Sequence, residues 1–161
     1  MIIREARDTD LDFCFKSWID NYLATTPNTG MEHRFYFIRQ RQLIQRILDR
    51  STVLCACDPD AEDVVWGYVV FEPRMPPAIC HWLYVKGAFR SWFWVKRPGQ
   101  SRGAYVRQKG KGGIGRALVE AAFGKTRPIV SSSIATDGLR PLLGRFHGQI
   151  VVDPYVLFDL L

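Results

Sequence analysis

Long apolar runs are missing from this sequence. Its uninterrupted hydrophobic stretches are a handful of residues each, far short of the ~20 that a membrane-spanning helix needs. The opening Met1-Ile2-Ile3-Arg4-Glu5 reads as a strand and lacks the long apolar core of a secretory signal. The expected compartment is therefore the cytoplasm, with no membrane partner. Histidine is scarce, represented only by His33, His81 and His147. The four cysteines, Cys14, Cys55, Cys57 and Cys80, sit in apolar contexts without CxxC spacing. A metal site would need more ligands at suitable spacing, so no metal is expected and the thiols are read as reduced and buried. Acidic residues are also missing from one long stretch, with none between Pro73 and Val119.

What is present bounds the fold. A chain of 161 residues makes one domain with a real core. At 47% hydrophobic and 24% charged it is neither disordered nor collagen-like. The net charge of +6 is unevenly placed. The acid-free stretch holds Arg74, Lys86, Arg90, Lys96, Arg97, Arg102, Arg107, Lys109, Lys111 and Arg116. The other 114 residues carry a net −4. Such a +10 segment in a mildly acidic body points to an anionic partner: a phosphorylated cofactor, a nucleic acid or both.

The patterning predicts a short strand over residues 1–5, then a helix capped by Asp8 or Thr9 with Leu11, Phe15, Trp18 and Tyr22 at helical spacing. The Thr25–Gly30 segment breaks it. A second helix from about Glu32 to Leu48 has an Arg- and Gln-rich outer face. The period then changes to strands over Thr52–Cys57, Val64–Phe71 and Ala78–Val85, with a loop at Arg74–Pro77. A helix running to Phe123, a strand over Pro128–Ile134, a short helix over Leu139–Phe146 and a strand-like end over Gln149–Leu160 complete the chain. This order makes an α/β or α+β layout with helices packed on a mixed sheet.

Between strand and helix lies Gly110-Lys111-Gly112-Gly113-Ile114-Gly115-Arg116. Glycines let a backbone approach a ligand closely, and the free N–H groups of a helix start favour negative charge. The pattern suits pyrophosphate. No Gly-Lys-Ser/Thr follows, so it is not a Walker loop. The strands before it read as antiparallel, which argues against a dinucleotide fingerprint, and Asp137 falls in a turn past the next strand. A flexible loop leading into a helix is the plainer alternative.

With these residues in place, the chain resembles the GNAT superfamily of acyl-CoA-dependent N-acyltransferases over most of its length in element order. The likeness is sharpest at Ile79-Cys80-His81-Trp82-Leu83-Tyr84-Val85-Lys86-Gly87-Ala88-Phe89-Arg90 and at Gly113-Ile114-Gly115-Arg116-Ala117-Leu118-Val119. The start, Ile3-Arg4-Glu5-Ala6 with Asp10, looks like the usual opening of such a domain. The ending, Ile150 to Leu157, is similar to small GNAT-like proteins of tailed phages. The resemblance implies a single domain over residues 1–161, built on a mixed, mainly antiparallel, splayed sheet flanked by helices. It implies acetyl-CoA in the cleft, its pantetheine arm on the backbone of Leu83, Tyr84 and Val85, and direct acyl transfer to an amine without a covalent enzyme intermediate.

One departure is large. The family runs from the strand to an Arg or Gln, then two residues, then Gly-x-Gly/Ala. Arg90 stands where that Arg belongs, yet Gly113 follows 23 positions later. Residues Ser91 to Gly110 read as an insertion. A second register, Arg107-Gln108-Lys109-Gly110-Lys111-Gly112, itself reads R-x-x-G-x-G. Both registers stand, so the cofactor-binding set is Leu83, Tyr84, Val85, Arg90, Arg107, Gly110, Lys111, Gly112, Gly113, Ile114, Gly115 and Arg116.

Within the insertion, Trp92 and Trp94 alternate before a turn-rich run, and Ala104–Arg107 returns. A β-hairpin arm around 91–110 is expected. Trp92, Trp94, Lys96, Arg97 and Arg102 are its candidate substrate contacts, since aromatics interleaved with cations suit bases and phosphates. The two Trp packing on the sheet, or the arm merely adding positive charge around the CoA phosphates, are the alternatives.

Amine acylation needs a base for the amine and an acid for the leaving thiolate. His81, Glu72 and Tyr84 are the catalytic candidates, against a plainer reading of His81 as a hydrogen-bonded strand residue. The expected helix 139–146 lacks the Tyr that many members use as acid. Two functions follow. One is an N-acetyltransferase whose acceptor amine lies on a small molecule, a protein or a nucleic acid, a modified DNA base among them, the enzyme being a monomer or homodimer. The other is a catalytically degenerate GNAT-fold protein that binds a host protein or nucleic acid through the basic aromatic arm.

Overall fold

The computed structural model describes residues 1–25, 33–73, 78–90, 92–95, 104–107, 112–124, 129–131 and 150–152, with side chains over 1–21, 38–73, 78–90 and 112–124. Ile2–Glu5 forms β1. Asp8–Thr25 forms α1 and His33–Arg50 forms α2. Thr52–Cys57, Val65–Glu72 and Ala78–Val85 form β2, β3 and β4. A 3₁₀ turn at Gly87–Phe89 follows, then β5 at Trp92–Val95 and β6 at Ala104–Arg107. Ile114–Phe123 is α3, and Ile129–Ser131 and Ile150–Val152 are β7 and β8.

The main sheet has strand order β1-β2-β3-β4-β7-β8. Its first four strands pair antiparallel, whereas β4–β7 and β7–β8 pair parallel. The expected mixed, mainly antiparallel sheet with flanking helices is what the chain builds. The arm is also a hairpin: β5 and β6 pair antiparallel, Trp92 opposite Arg107 and Trp94 opposite Tyr105.

Alternation along the strands separates two apolar layers. On one face, Cys14, Trp18 and Ile19 of α1 and Ile44, Ile47 and Leu48 of α2 pack on Val53, Cys55, Cys57, Val65, Tyr68, Val70 and Trp82. On the other, Ile114, Leu118, Val119 and Phe123 of α3 pack on Ala56, Val69, Phe71, Ala78 and Cys80. All four cysteines are buried free thiols. At the start of α1, the Arg7 N–H donates to the Asp10 carboxylate at 2.8 Å, and Arg4 Nη1 donates to the same oxygen at 2.6 Å. This caps the helix and ties it to β1.

Boundaries differ slightly from the sequence reading. The second helix extends to Arg50 rather than Leu48, and β3 runs through Glu72 rather than ending at Phe71. Both extensions matter below, because they place two charged residues inside regular elements. The expected turn after Thr25, the loop 74–77, the helix 139–146, the ends of the last two strands, Asp137 and His147 lie outside the described residues. His33 opens α2, and its side chain is likewise outside them.

Candidate active site

The β3–β4 pairing carries one irregularity. Val70 faces Trp82 and Phe71 faces Cys80, so His81 is the extra residue of a β-bulge. A bulge re-aims side chains. Trp82 joins the α1/α2 layer while Cys80 two residues earlier joins the α3 layer. His81 is thereby set beside the last residue of β3. Its Nε2 lies 2.9 Å from Glu72 Oε1, and Arg50 Nε lies 2.9 Å from that same oxygen. The side chain of His81 is fully enclosed, that of Glu72 is 11% exposed and that of Arg50 31%.

Electrostatics follow from this burial. Desolvation pushes the His81 pKa below its ordinary value, with Glu72 pulling the other way and Arg50 adding to the depression. Burial thus favours the neutral ring, and Nε2, which faces the carboxylate, is the nitrogen suited to donate to it. Cys80, next along β4, is a poor nucleophile, because burial pushes its thiol up to about 12.

Tyr84 lies on the same face but in a separate group. Its ring meets Phe13 edge-on at 6.1 Å and Tyr68 at 5.4 Å between centroids, and the Arg90 guanidinium sits 5.6 Å from its centre. Trp82 stacks on Trp18 at 5.2 Å, and its indole N–H is buried without a hydrogen-bond partner among the described residues. His81 and Glu72 are therefore in direct contact, and Tyr84 stands apart among aromatics.

The edge of β4 beyond Cys80, without a strand partner among the described residues, is the second element of the site. Its described pairing with β7 covers Ala78, Cys80 and Ile79 between them. Further along, Lys86 N–H bonds back to Trp66 O at 2.8 Å. Strand alternation then turns the backbone groups of Leu83 and Val85 away from β3. Arg90 already reaches that edge, its Nε donating to Val85 O at 2.5 Å. On the β3 side the approach is tight: a Cβ on Gly67 would come within 2.6 Å of Tyr84 O, so only glycine fits there.

The third element is the start of α3, which lies across β2, β3 and β4. Gly112 and Gly113 have φ of 131° and 91°, a conformation that disfavours any side chain. Gly113 serves as the N-cap without a side-chain hydrogen bond, and its O accepts the first helical bond from Ala117 N–H. A Cβ on Gly113 would meet nothing within 4 Å, so the glycine is there for conformation and approach rather than packing. The N–H groups of Ile114, Gly115 and Arg116 are donors that a helix start leaves without an intrahelical acceptor. Arg116 is exposed and bonded to Glu120 at 2.7 Å.

The remaining sequence candidates are less defined. Trp92, Trp94 and Arg107 are placed by backbone alone, within the hairpin. Lys96, Arg97, Arg102, Gly110 and Lys111 lie outside the described residues. Arg50 escaped sequence reading altogether. Its signal was a lone Arg ending an Arg-rich helix, indistinguishable in sequence from the solvated arginines before it. Among the described residues, no group of three or more His, Cys, Asp and Glu could hold a metal ion, and no helix is long and apolar enough to cross a membrane.

Comparison with known proteins finds no matching family model and no curated protein of matching sequence. Solved structures share a broad likeness. A variant of the BH1408 protein from Bacillus halodurans is 19% identical, with a TM-score of 0.42 over 91% of this chain and 90% of that one. The ribosomal-protein-alanine N-acetyltransferase from Brucella melitensis is 24% identical, with a TM-score of 0.41 over 92% of this chain and 83% of that one. At this distance neither carries its chemistry over to this chain.

Proposed function

We propose that this chain is an acyl-CoA-dependent N-acyltransferase of the GNAT type, moving an acetyl group from acetyl-CoA directly to an amine. The observation that carries the reading is the β4 bulge, which sets the buried His81 against Glu72 on a strand whose far edge has no strand partner at Leu83 and Val85 among the described residues. The cofactor's contribution is a thioester carbonyl open to attack. Backbone N–H and C=O of Leu83 and Val85 suit the amides of a pantetheine arm. The left-handed glycines and free N–H groups at the start of α3 suit a pyrophosphate. Arg90, Arg107, Lys111 and Arg116 supply counter-charge.

His81, oriented by Glu72, takes the proton from the attacking amine, directly or through a water. As the carbon–nitrogen bond forms and the carbon–sulfur bond breaks, Tyr84 supplies the proton to the leaving thiolate. With the one thiol on β4 held protonated by burial, direct transfer fits better than an acyl-enzyme. For the acceptor, the surplus of cations over what one cofactor needs favours a polyanion, and an amine on a modified DNA base is the acceptor we propose. The cytoplasm is its proposed compartment.

A second reading rests on two contacts. Arg90 occupies the Val85 carbonyl, and His81 is wholly enclosed. Both suit a degenerate GNAT-type protein that binds a host protein or nucleic acid through its arm. Calorimetric titration with acetyl-CoA separates the two. Micromolar binding is expected, and absence of heat at millimolar ligand leaves only the second reading. A panel of amines that includes amine-bearing DNA, assayed at two salt concentrations, then tests the acceptor. Transfer indifferent to salt would count against a polyanion.

A further inference from the structure

Arg50 has no role in the reading above, yet it meets the buried carboxylate at the end of β3. It ends α2, where Ser51 N–H bonds to Ile47 O at 3.0 Å and the chain turns into β2. That turn holds the guanidinium over the end of β3. Glu72 Oε1 faces Arg50 Nε and His81 Nε2, each at 2.9 Å. The Arg50 Nε–H does not aim along the line to that oxygen, so charge carries this contact more than hydrogen bonding. An arginine stays charged at every relevant pH, so the carboxylate has a fixed cation to face.

We propose that Arg50 is the positioning residue of the site: from the end of α2 it holds the Glu72 carboxylate directed at His81, and so fixes the imidazole in its place. The proposal rests on the acyltransfer reading for its purpose, but the charge relation stands by itself. Burial, Glu72 on β3 and Arg50 on α2 each act on the His81 charge. Removing Arg50 takes away an influence that disfavours the imidazolium. It also weakens the hold on the carboxylate.

The test is an NMR titration of isotopically labelled histidine side chains in the intact protein. The forms compared are wild type, Arg50→Gln and Arg50→Lys, with His81 assigned by His81→Gln. Arg50 is a third exposed, and melting curves establish that each variant is folded. In Arg50→Gln the His81 pKa is expected to rise by roughly half a unit or more. Arg50→Lys, which keeps the charge, is expected to restore most of the wild-type value. A His81 whose pKa and side-chain nitrogen shifts are both identical in wild type and Arg50→Gln overturns the proposal. A shifted His81 in a protein that acetylates no amine leaves the charge relation standing and defeats the acyltransfer reading instead. Where transfer is measured, the lower limb of the kcat/KM–pH profile should move with the same sign, whereas a merely structural role would leave the profile in place.

Discussion

The two faces of the central sheet are built from opposite materials. Against α3 the described buried residues are apolar: Ala56, Val69, Phe71, Cys80, Ile114, Leu118, Val119 and Phe123. Between the same strands and α1 and α2 lie Arg50, Glu72, His81, the Tyr68–Ser17 hydroxyl pair at 3.0 Å and the Trp82 indole, which has no hydrogen-bond partner among the described residues. A dry face needs only volume and shape. A face with buried polar groups costs stability unless each is paired. Natural folds keep such groups where chemistry or specificity uses them. Under the proposed function, the working side of β4 is the one toward α1 and α2, and α3 contributes through its N-terminus and not its flank.

Breaking the apolar face should cost most. Leu118→Ala removes a side chain with no solvent exposure, and roughly 2–5 kcal/mol of unfolding free energy is expected to go with it in urea titration. Acetyl-CoA affinity, where measured, should be retained in the folded fraction.

On the polar face, Glu72→Gln strips the charge from between Arg50 and His81. A loss of about 1–3 kcal/mol is expected, smaller than for a fully enclosed pair because Arg50 is partly solvated. Acyl transfer should fall by about 10²-fold or more. A stable, fully active Glu72→Gln variant would mean that the face is polar without being used.

A smaller effect sharpens the contrast through pH. The folded His81 pKa lies below its unfolded value of about 6.5. Between the two values the unfolded chain binds more protons, so stability rises with pH through that window and is complete above it. Melting temperature should decline as pH drops from 7.5 to 5, and His81→Gln should flatten that decline. An equal slope in both proteins would place the effect elsewhere.

The smallest change is expected at the exposed rim. Arg116 and Glu120 are each about half exposed, and Arg116→Ala should shift stability by under about 0.5 kcal/mol. A clear loss of acetyl-CoA affinity without that stability change would support Arg116 as a phosphate contact.

Most of the fold was legible in the sequence. Period 3.6 at Leu11, Phe15 and Trp18, and alternation in 52–57 and 78–85, reflect the pitch of each element and need no tertiary information. The hairpin arm showed through alternation and turn chemistry. The glycine pair at 112–113 showed as well, since positive φ is a local demand that few other residues meet. His81 and Glu72 could be named as candidates but not as partners. They are separated by nine positions, and a loop between strands does not specify register. Arg50 could not be named at all.

The sequence by itself determined most of the described elements, the buried free cysteines and the concentration of net positive charge in the middle of the chain, because each depends on composition or on near neighbours. Only the tertiary structure decided which face of β4 is polar. That depended on a single extra residue in the β3–β4 register, which turns His81 and Trp82 toward α1 and α2, and on α2 ending where its last arginine meets the last glutamate of β3. Register and helix docking are set by packing across the sheet, and packing is not a property of any local stretch.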